Sequence, residues 1–236
     1  MLVTASTAGI GYAVAERLLQ EGYFCYINYA HDDERADSSS RKLSEISHNF
    51  KIIKADLSCI EGIYNVIKEI DSGIKLKYLV LNCGITDKTP FGEITLEQWD
   101  KVINTNLTMP FFLMQELYDL MEEDGSIVMI SSILGRYPHA MSIGYGVSKS
   151  AINALCQNMV KVLSTKKIRI NALEPGFVDT SWQKDKPLNL RKSIESKIAL
   201  GRFATTEEVA DICFHVLNNT YMNGAIIPVC GGYCMS

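Results

Sequence analysis

The chain has 236 residues, of which 47% are hydrophobic and 21% are charged, and its net charge at pH 7 is −4. A chain of this length and apolar content can bury one sizeable core, and α/β folds of this size are often a single domain, so we expect one domain over 1–236. The composition argues against nucleic-acid binding, because phosphates attract concentrated positive charge and the sequence has no long Lys/Arg cluster.

The cysteines and the apolar runs indicate the cellular compartment of the protein and whether it spans a membrane. The cysteines are Cys25, Cys59, Cys83, Cys156, Cys213, Cys230 and Cys234. They are dispersed and mostly lie in apolar runs, so we interpret them as buried thiols in a reducing compartment rather than a disulfide framework or a zinc site, and we expect no metal. No uninterrupted apolar run approaches the ~20 residues of a membrane span. We therefore expect a soluble, cytoplasmic protein without a membrane partner.

Apolar runs of strand length alternate with stretches of helical period along the chain. This alternation predicts an α/β protein with a parallel sheet of about seven strands and helices on both faces. The predicted strands are Leu2–Thr4, which should be short, Tyr23–Tyr29, Phe50–Ala55, Tyr78–Asn82, Ser126–Ser132, Ile168–Leu173 and Ala225–Val229. The predicted helices are Gly11–Glu21, Asp33–Ser47, Ile60–Ile70, Leu96–Met121, Tyr145–Ser164 and Thr206–Leu217.

Two predicted segments are irregular. The helix over 96–121 is expected to break near Asn106 and Pro110, because proline disfavours a helical conformation in the residue before it. The polar stretch Val178–Arg191 has no clear period and follows a strand end, where lids over α/β sites tend to lie.

A glycine turn, "TASTAGIG", joins the first strand to the first helix. Such a turn lets a pyrophosphate approach the backbone at a helix N-terminus, which offers unpaired N–H groups and a positive dipole end. Gly9 and Gly11 suit this role, whereas Ala5 stands where the first glycine of such a turn is usual. Its methyl group is a mild obstruction provided that its φ is negative. Alone, the pattern fits a plain tight connection equally well.

A second group of residues follows the predicted fifth strand. Tyr145 and Lys149 are four residues apart in "YGVSK", so on a helix they share one face. An ammonium beside the phenol is expected to lower the pKa of Tyr145 from its usual ~10. Ser132, at the strand end, can hydrogen-bond the same reacting oxygen. A lone Y-x-x-x-K pair is usually structural, but its combination with the glycine turn indicates a site.

Several motifs spaced along the chain are similar to those of one protein family. The segments "TASTAGIG", "LNCGIT", "NTNL", "YGVSK" and "PGFVDT", together with Ser132, resemble the short-chain dehydrogenase/reductase family from Val3 nearly to the C-terminus. The resemblance implies a Rossmann-like doubly wound fold that binds NAD or NADP. It also implies an enzyme that passes a hydride between the nicotinamide and a carbonyl or secondary alcohol.

The resemblance assigns catalytic roles to four residues. Tyr145 would be the general acid in reduction and the base in oxidation, and Ser132 would orient and polarise the substrate oxygen. Lys149 would hold the nicotinamide ribose and lower the pKa of Tyr145. Asn106 would support a water that relays protons to Lys149.

The same resemblance implies cofactor contacts. The expected cofactor-binding residues are Ser6, Thr7, Gly9, Ile10, Gly11, Tyr29, Asp56, Leu57, Asn82, Gly84, Tyr145, Lys149, Pro175, Gly176, Val178 and Thr180. Tyr29 stands where NAD-specific relatives carry an aspartate that would repel a 2′-phosphate, which favours NADP and leaves NAD open. His31 or Arg35 are the candidate partners of that phosphate.

The C-terminal segments "IALGRFATTEEVAD" and "GAIIPVCGGY" resemble those of 3-oxoacyl-(acyl-carrier-protein) reductases. Such enzymes act on a thioester held by an acidic protein, so a positive patch is expected near the site. The acidic residues 122–124 would oppose that partner, and Lys166, Lys167 and Arg169 could compensate. The alternatives are a reductase or dehydrogenase of a free small ketone or alcohol, and a non-catalytic dinucleotide-binding regulator. The family also suggests a homotetramer.

Overall fold

The computed structural model describes residues 1–137, 142–184 and 186–233. In these ranges the chain forms a seven-stranded sheet of order β3-β2-β1-β4-β5-β6-β7 in which all neighbouring strands are parallel. The strands are β1 (Leu2–Val3), β2 (Cys25–Tyr29), β3 (Phe50–Lys54), β4 (Leu76–Leu81), β5 (Met121–Ile130), β6 (Arg169–Pro175) and β7 (Ile226–Val229). The predicted α/β class, the parallel sheet and the short first strand are confirmed.

Helices cover both faces of the sheet. They are α1 (Gly9–Gln20), α2 (Asp33–Ser44), α3 (Ile60–Glu69), α4 (Leu96–Ile103), α5 (Met109–Leu117), α6 (Ile143–Leu163), α7 (Leu188–Glu195) and α8 (Thr206–Asn218). Successive strand residues point to opposite faces, so Leu2 enters the core under α3, α5 and α6, whereas Val3 enters the core under α1 and α8. The sheet is therefore doubly wound, as predicted.

Side-chain caps fix where some helices begin. Thr95 and Gln98 form a capping box at the start of α4, and Thr205 and Glu208 form another at the start of α8. In each box the threonine hydroxyl accepts from a backbone N–H in the first turn, and the longer side chain accepts from the threonine N–H. No helix in the described ranges is both long enough and apolar enough to cross a bilayer.

The predicted helix over 96–121 is not uniform. Its backbone widens into a π-helical turn at Asn104–Thr108, between α4 and α5. Pro110 follows this turn and has no N–H to donate to the Asn106 carbonyl, so a regular α-helical ladder cannot continue there. The predicted break near Asn106 and Pro110 is therefore present, as a π-helical turn rather than as an interruption of the helix.

The fifth strand begins earlier than predicted. Met121, placed at the end of a helix by the sequence pattern, instead pairs with Leu76. A bulge follows, and Asp124 adopts a positive φ of 58°. A Cβ on Gly125 would lie 3.2 Å from the Lys77 carbonyl oxygen, so the two strands approach closely only because this residue is glycine. Strand pairing, a long-range interaction, has overridden local helical periodicity here.

A further helix lies in the stretch predicted to have no regular structure. α7 begins directly after Pro187 and overlaps the end of that stretch. Arg191 on α7 forms two hydrogen bonds with the Asp179 carboxylate, at 3.0 and 3.1 Å, and another with Glu195 at 2.9 Å. The prediction of an irregular segment through residue 191 is wrong, because these ion pairs fix its second half.

The cysteines are only partly as predicted. Cys25, Cys156 and Cys213 are buried, whereas Cys59, Cys83 and Cys230 are half-buried, and all six are free thiols. Cys234 lies outside the described residues. The prediction of burial is wrong for the half-buried three, because they lie at helix and strand ends rather than at core positions.

Candidate active site

A cavity of about 440 Å³ opens beyond the carboxyl ends of the strands. It lies where the strand order reverses between β1 and β4, which is the usual ligand position in doubly wound sheets. Its lining includes these residues of the sequence prediction: Thr7, Gly9, Ile10, Tyr29, Asn82, Gly84, Ser132, Tyr145, Lys149, Pro175, Gly176, Val178 and Thr180. Motifs separated by more than a hundred residues are thereby brought to one site.

Five predicted residues do not line this cavity. Ser6 is buried and its hydroxyl donates to the Val3 carbonyl at 2.7 Å, so it stabilises the turn from the side that faces the core. Leu57 belongs to the core. Asp56 lies outside the lining and is 3.2 Å from His31, a cavity residue. Gly11 and Asn106 are the other two.

Gly11 is required for packing rather than for space in the cavity. A Cβ there would lie 2.5 Å from the Ala5 carbonyl oxygen and 2.5 Å from Asn82 Nδ2. α1 can therefore start close to β4 only because residue 11 lacks a side chain. Gly9, by contrast, lines the cavity and has a φ of +56°.

Ala5 has an unexpected backbone conformation. Its φ is +48°, so the condition of a negative φ, under which its methyl group would be only a mild obstruction, is not met. The Asn28 side chain holds the Ala5 N–H at 3.1 Å, and the Asn82 amide donates to the Ala5 carbonyl at 3.0 Å. Two asparagines therefore fix a left-handed conformation that costs an L-residue about 1 kcal/mol.

We expect the substitution Ala5→Gly to stabilise the protein by about 0.5–1 kcal/mol, because glycine adopts a positive φ without a steric cost. Ala8 is the matched control, since it lies in the same turn with an extended φ of −158°. Ala8→Gly should be neutral or destabilising by about 0.5 kcal/mol, through the entropy of the unfolded chain. Chemical denaturation of both variants measures this. Equal effects of the two would show that Ala5 is not strained.

Ser132, Tyr145 and Lys149 form the centre of the site. β5 delivers Ser132 to the strand end, and α6 carries Tyr145 and Lys149 one turn apart. The Lys149 ammonium lies 5.5 Å from the centre of the Tyr145 ring and donates to the Ile130 carbonyl at 2.7 Å. The Ser132 oxygen accepts from the Leu134 N–H at 3.2 Å, which leaves its own hydrogen available for donation.

Burial dominates the electrostatics of this group. Burial raises the pKa of Tyr145 above its ordinary value, and a hydrogen bond with Ser132 opposes that shift. The predicted lowering of the Tyr145 pKa is wrong for this arrangement, because the effect of burial outweighs that of the Ser132 hydrogen bond. Burial also lowers the pKa of Lys149 itself to about 8. Tyr145 is consequently held protonated at neutral pH, as a proton donor must be.

Asn106 acts behind the cavity. Its side chain accepts from the Ile85 N–H at 2.8 Å and donates to the Ile85 carbonyl and to the Ser148 hydroxyl, both at 2.9 Å. Ser148 in turn donates to the Tyr145 carbonyl at 2.7 Å. Asn106 thus ties the end of β4 to the turn of α6 that carries Tyr145.

Some site residues were missed from the sequence. Thr4 receives the N–H groups of Asn82 and Cys83 at 2.9 and 3.0 Å, so its hydroxyl orients the β4 end. Trp182 lines the cavity with its ring centre 6.3 Å from that of Tyr145, in an edge-to-face arrangement. The only signal for Trp182 was an aromatic residue in a polar segment, which is compatible with many positions.

The charged segments considered for binding an acidic partner lie at the amino ends of the strands, opposite the cavity. Residues 122–124 are at the start of β5, whose ten residues span about 30 Å before Ser132. Arg169 is at the start of β6 and its guanidinium donates to the Val216, Leu217 and Met222 carbonyls. Neither the predicted repulsion nor the predicted compensation therefore acts at the cavity.

The residues present fit a dinucleotide. No side chain caps α1, so the N–H groups of its first turn face the cavity without a side-chain acceptor, and the first turn has no acidic residue. The positive φ of Gly9 exposes this backbone. Unpaired N–H groups and a positive helix end suit a pyrophosphate.

Comparisons with known proteins agree along nearly the whole chain. A family model described as enoyl-(acyl carrier protein) reductase matches residues 4–234. The 3-oxoacyl-(acyl-carrier-protein) reductase FabG of Aquifex aeolicus is 30% identical over 242 residues, covering 98% of this chain and 95% of that protein. Acetoacetyl-CoA reductase of Rhizobium meliloti is 34% identical over 240 residues, covering 98% and 96%. A solved short-chain dehydrogenase/reductase from Serratia marcescens superposes with a TM-score of 0.92 at 27% identity, covering 98% and 96%.

Proposed function

Because this chain belongs to the short-chain dehydrogenase/reductase family, and is therefore an NAD(P)-dependent oxidoreductase, we propose that it reduces the keto group of a 3-oxoacyl thioester. The observation that carries the proposal is the placement of Ser132, Tyr145 and Lys149 in one cavity beside an uncapped helix N-terminus. The relatives that act on 3-oxoacyl thioesters, similar over their full length, support the substrate class.

The proposed roles follow from the geometry. Ser132 donates a hydrogen bond to the keto oxygen, and Tyr145 delivers a proton to it as the carbonyl becomes an alcohol. Lys149 keeps a positive charge near the developing alkoxide and holds the cofactor ribose. The bound dinucleotide supplies the hydride. Asn106 keeps Tyr145 in place through Ser148.

We propose NADPH as the preferred reductant. His31 and Arg35 line the adenosine end of the cavity, where Tyr29 replaces a carboxylate that would repel a 2′-phosphate. Arg35 lies 3.1 Å from Asp32, so a phosphate would compete with an existing ion pair. This competition predicts a moderate rather than an absolute preference over NADH.

Two lysines that follow cavity-lining segments in the sequence suit an anionic carrier. Lys88 follows β4 and Lys186 follows the cavity residues Ser181–Gln183. Lys186 Nζ lies 5.9 Å from the centre of the Phe177 ring, and burial and then the charge of Lys88 lower its pKa. A pair of like charges at a site favours an anionic ligand, such as a phosphopantetheine arm or an acidic carrier protein.

Steady-state kinetics test the proposal. We expect acetoacetyl-CoA and acetoacetyl-carrier-protein to be reduced with a higher kcat/KM than the neutral ethyl acetoacetate, and with a higher value for NADPH than for NADH. Lys186→Glu should raise the KM of the carrier substrate about tenfold and leave that of ethyl acetoacetate unchanged, because only the former is anionic. Lys68→Glu, an equal charge change on an exposed residue of α3, is the control.

Two outcomes would contradict this assignment. A preference for free ketones, with no effect of Lys186→Glu, would favour a reductase of a free small ketone. Binding of NADPH without turnover of any substrate in either direction would favour a non-catalytic regulator.

We further propose a single domain over 1–236, a homotetramer and a cytoplasmic location. Val147 and Val162 on α6 are 46% and 56% exposed, and Phe111 on α5 is half-buried, which suits helices that pair between subunits. The six free thiols suit a reducing compartment. Light scattering coupled to size exclusion measures the assembly.

A further inference from the structure

An ion pair joins the segment after Ser132 to the end of β6. Arg136 Nη2 lies 3.1 Å from Glu174 Oε2. The Glu174 side chain is fully buried, whereas that of Arg136 is 48% exposed. Glu174 Oε1 also accepts a hydrogen bond from Asn153 Nδ2 at 2.7 Å. Burying a carboxylate is costly unless partners compensate it. Here Arg136 supplies a charge and Asn153 a hydrogen bond, while Oε2 itself makes no hydrogen bond within the described residues.

Each member of this group adjoins the active site. Arg136 is four residues beyond Ser132, and Glu174 immediately precedes the cavity residues Pro175 and Gly176. Asn153 lies one helical turn beyond Lys149 on α6. The group therefore connects residues 132–136, called the serine segment below, with the end of β6 and with α6, which carries Tyr145.

The segment 132–136 is also pressed against α6. A Cβ on Gly135 would lie 2.8 Å from the Lys149 carbonyl carbon and 2.9 Å from the Ser150 nitrogen. The Ser150 hydroxyl donates to the Gly135 carbonyl. One side of the segment is thus held by the helix, and the other side is held by the Arg136 ion pair.

We propose that Arg136 and Glu174 are positioning residues that fix the Ser132 hydroxyl against Tyr145. The pair anchors the serine segment to β6, whose register in the sheet is set by five residue pairs with β5. Loss of the anchor lets the segment move relative to α6, so the Ser132 hydroxyl is no longer aimed at the oxygens of Tyr145 and the substrate. This inference rests on the proposed roles of Ser132 and Tyr145.

The test measures kinetics across pH. Arg136→Ala should lower kcat for ketone reduction by roughly 10- to 100-fold, the effect of a misplaced catalytic group, with the Kd for NADPH within twofold of wild type. The high-pH limb of the reduction profile should move to higher pH, because the Ser132 hydrogen bond lowers the pKa of Tyr145. Ser132→Ala should move it in the same direction. Arg136→Lys, which keeps the charge, should restore part of the rate.

Controls separate positioning from stability. Arg17 pairs with the exposed Glu21 and Asp211 at the surface of α1, so Arg17→Ala removes arginine ion pairs away from the site and should leave kcat and the pH limb unchanged. The double variant Arg136→Ala/Glu174→Gln also removes the buried charge of Glu174, which Arg136→Ala leaves without its ion-pair partner. Its kcat should remain low.

Wild-type kinetics in Arg136→Ala, or full recovery in the double variant, would overturn the inference. Tyr145→Phe in the same assay separates a failure of the proposed catalytic roles from a failure of the positioning inference. If Tyr145→Phe keeps its activity, the proposed roles fail. If Tyr145→Phe is inactive while Arg136→Ala behaves like Arg17→Ala, only the positioning inference fails.

Discussion

Tyr145→Phe is expected to reduce kcat/KM for ketone reduction by about 10³-fold, because it removes the only atom of this side chain that can deliver a proton. The ring remains, so the Kd for NADPH should stay within twofold of wild type. Wild-type reduction should fall in two steps as the pH rises. The first lies near pH 8, where Lys149 loses its charge, and the second lies at the raised pKa of Tyr145, since only the protonated phenol can donate. The residual rate of the variant should lack the second step.

A second tyrosine provides the control for that experiment. The Tyr78 hydroxyl donates to Asn218 Oδ1 at 2.8 Å, far from the cavity lining. Tyr78→Phe removes a comparable hydroxyl and should leave kcat/KM unchanged while costing about 1 kcal/mol of stability. Undiminished turnover by Tyr145→Phe would refute the assignment of the proton donor.

Lys149→Met is expected to make the cofactor-free protein more stable while lowering kcat/KM by at least about 100-fold. Burial lowers the pKa of Lys149 from 10.5 to about 8, so the unfolded chain binds a proton in that window that the folded protein does not. Folding stability therefore falls as the pH falls from 10.5 to 8, and the penalty at pH 7 is about 3 kcal/mol. Methionine removes the penalty but leaves the Ile130 carbonyl without its donor, which costs about 1 kcal/mol.

The net gain of about 2 kcal/mol at pH 7 is measurable by chemical denaturation of the protein without cofactor. The difference from wild type should shrink between pH 8 and pH 10.5, where the folded wild type has lost the proton that its unfolded chain still binds. Lys161→Met, on the exposed side of the same helix, should give no such difference. A variant less stable than wild type at every pH would contradict the argument from burial.

Much of the fold followed from the sequence because its signals are local. Apolar runs and helical periods located most elements to within three residues, apart from the start of β5, the end of the helix predicted over 96–121 and the added α7. The four-residue spacing of Tyr145 and Lys149 placed them on one helical face, and the glycine turn indicated a phosphate-binding helix start. These properties depend only on backbone geometry over a few residues.

Only the tertiary structure decided the remaining features, because they depend on which distant segments meet. The left-handed Ala5 is imposed by Asn28 and Asn82, and the raised pKa of Tyr145 by the atoms that bury it. The acidic residues 122–124 proved irrelevant to the site only once the direction of β5 was known. The sequence by itself thus determined the fold class and singled out the side chains that we propose to react. Backbone strain, proton affinity and the position of each charge relative to the cavity were decided by long-range packing.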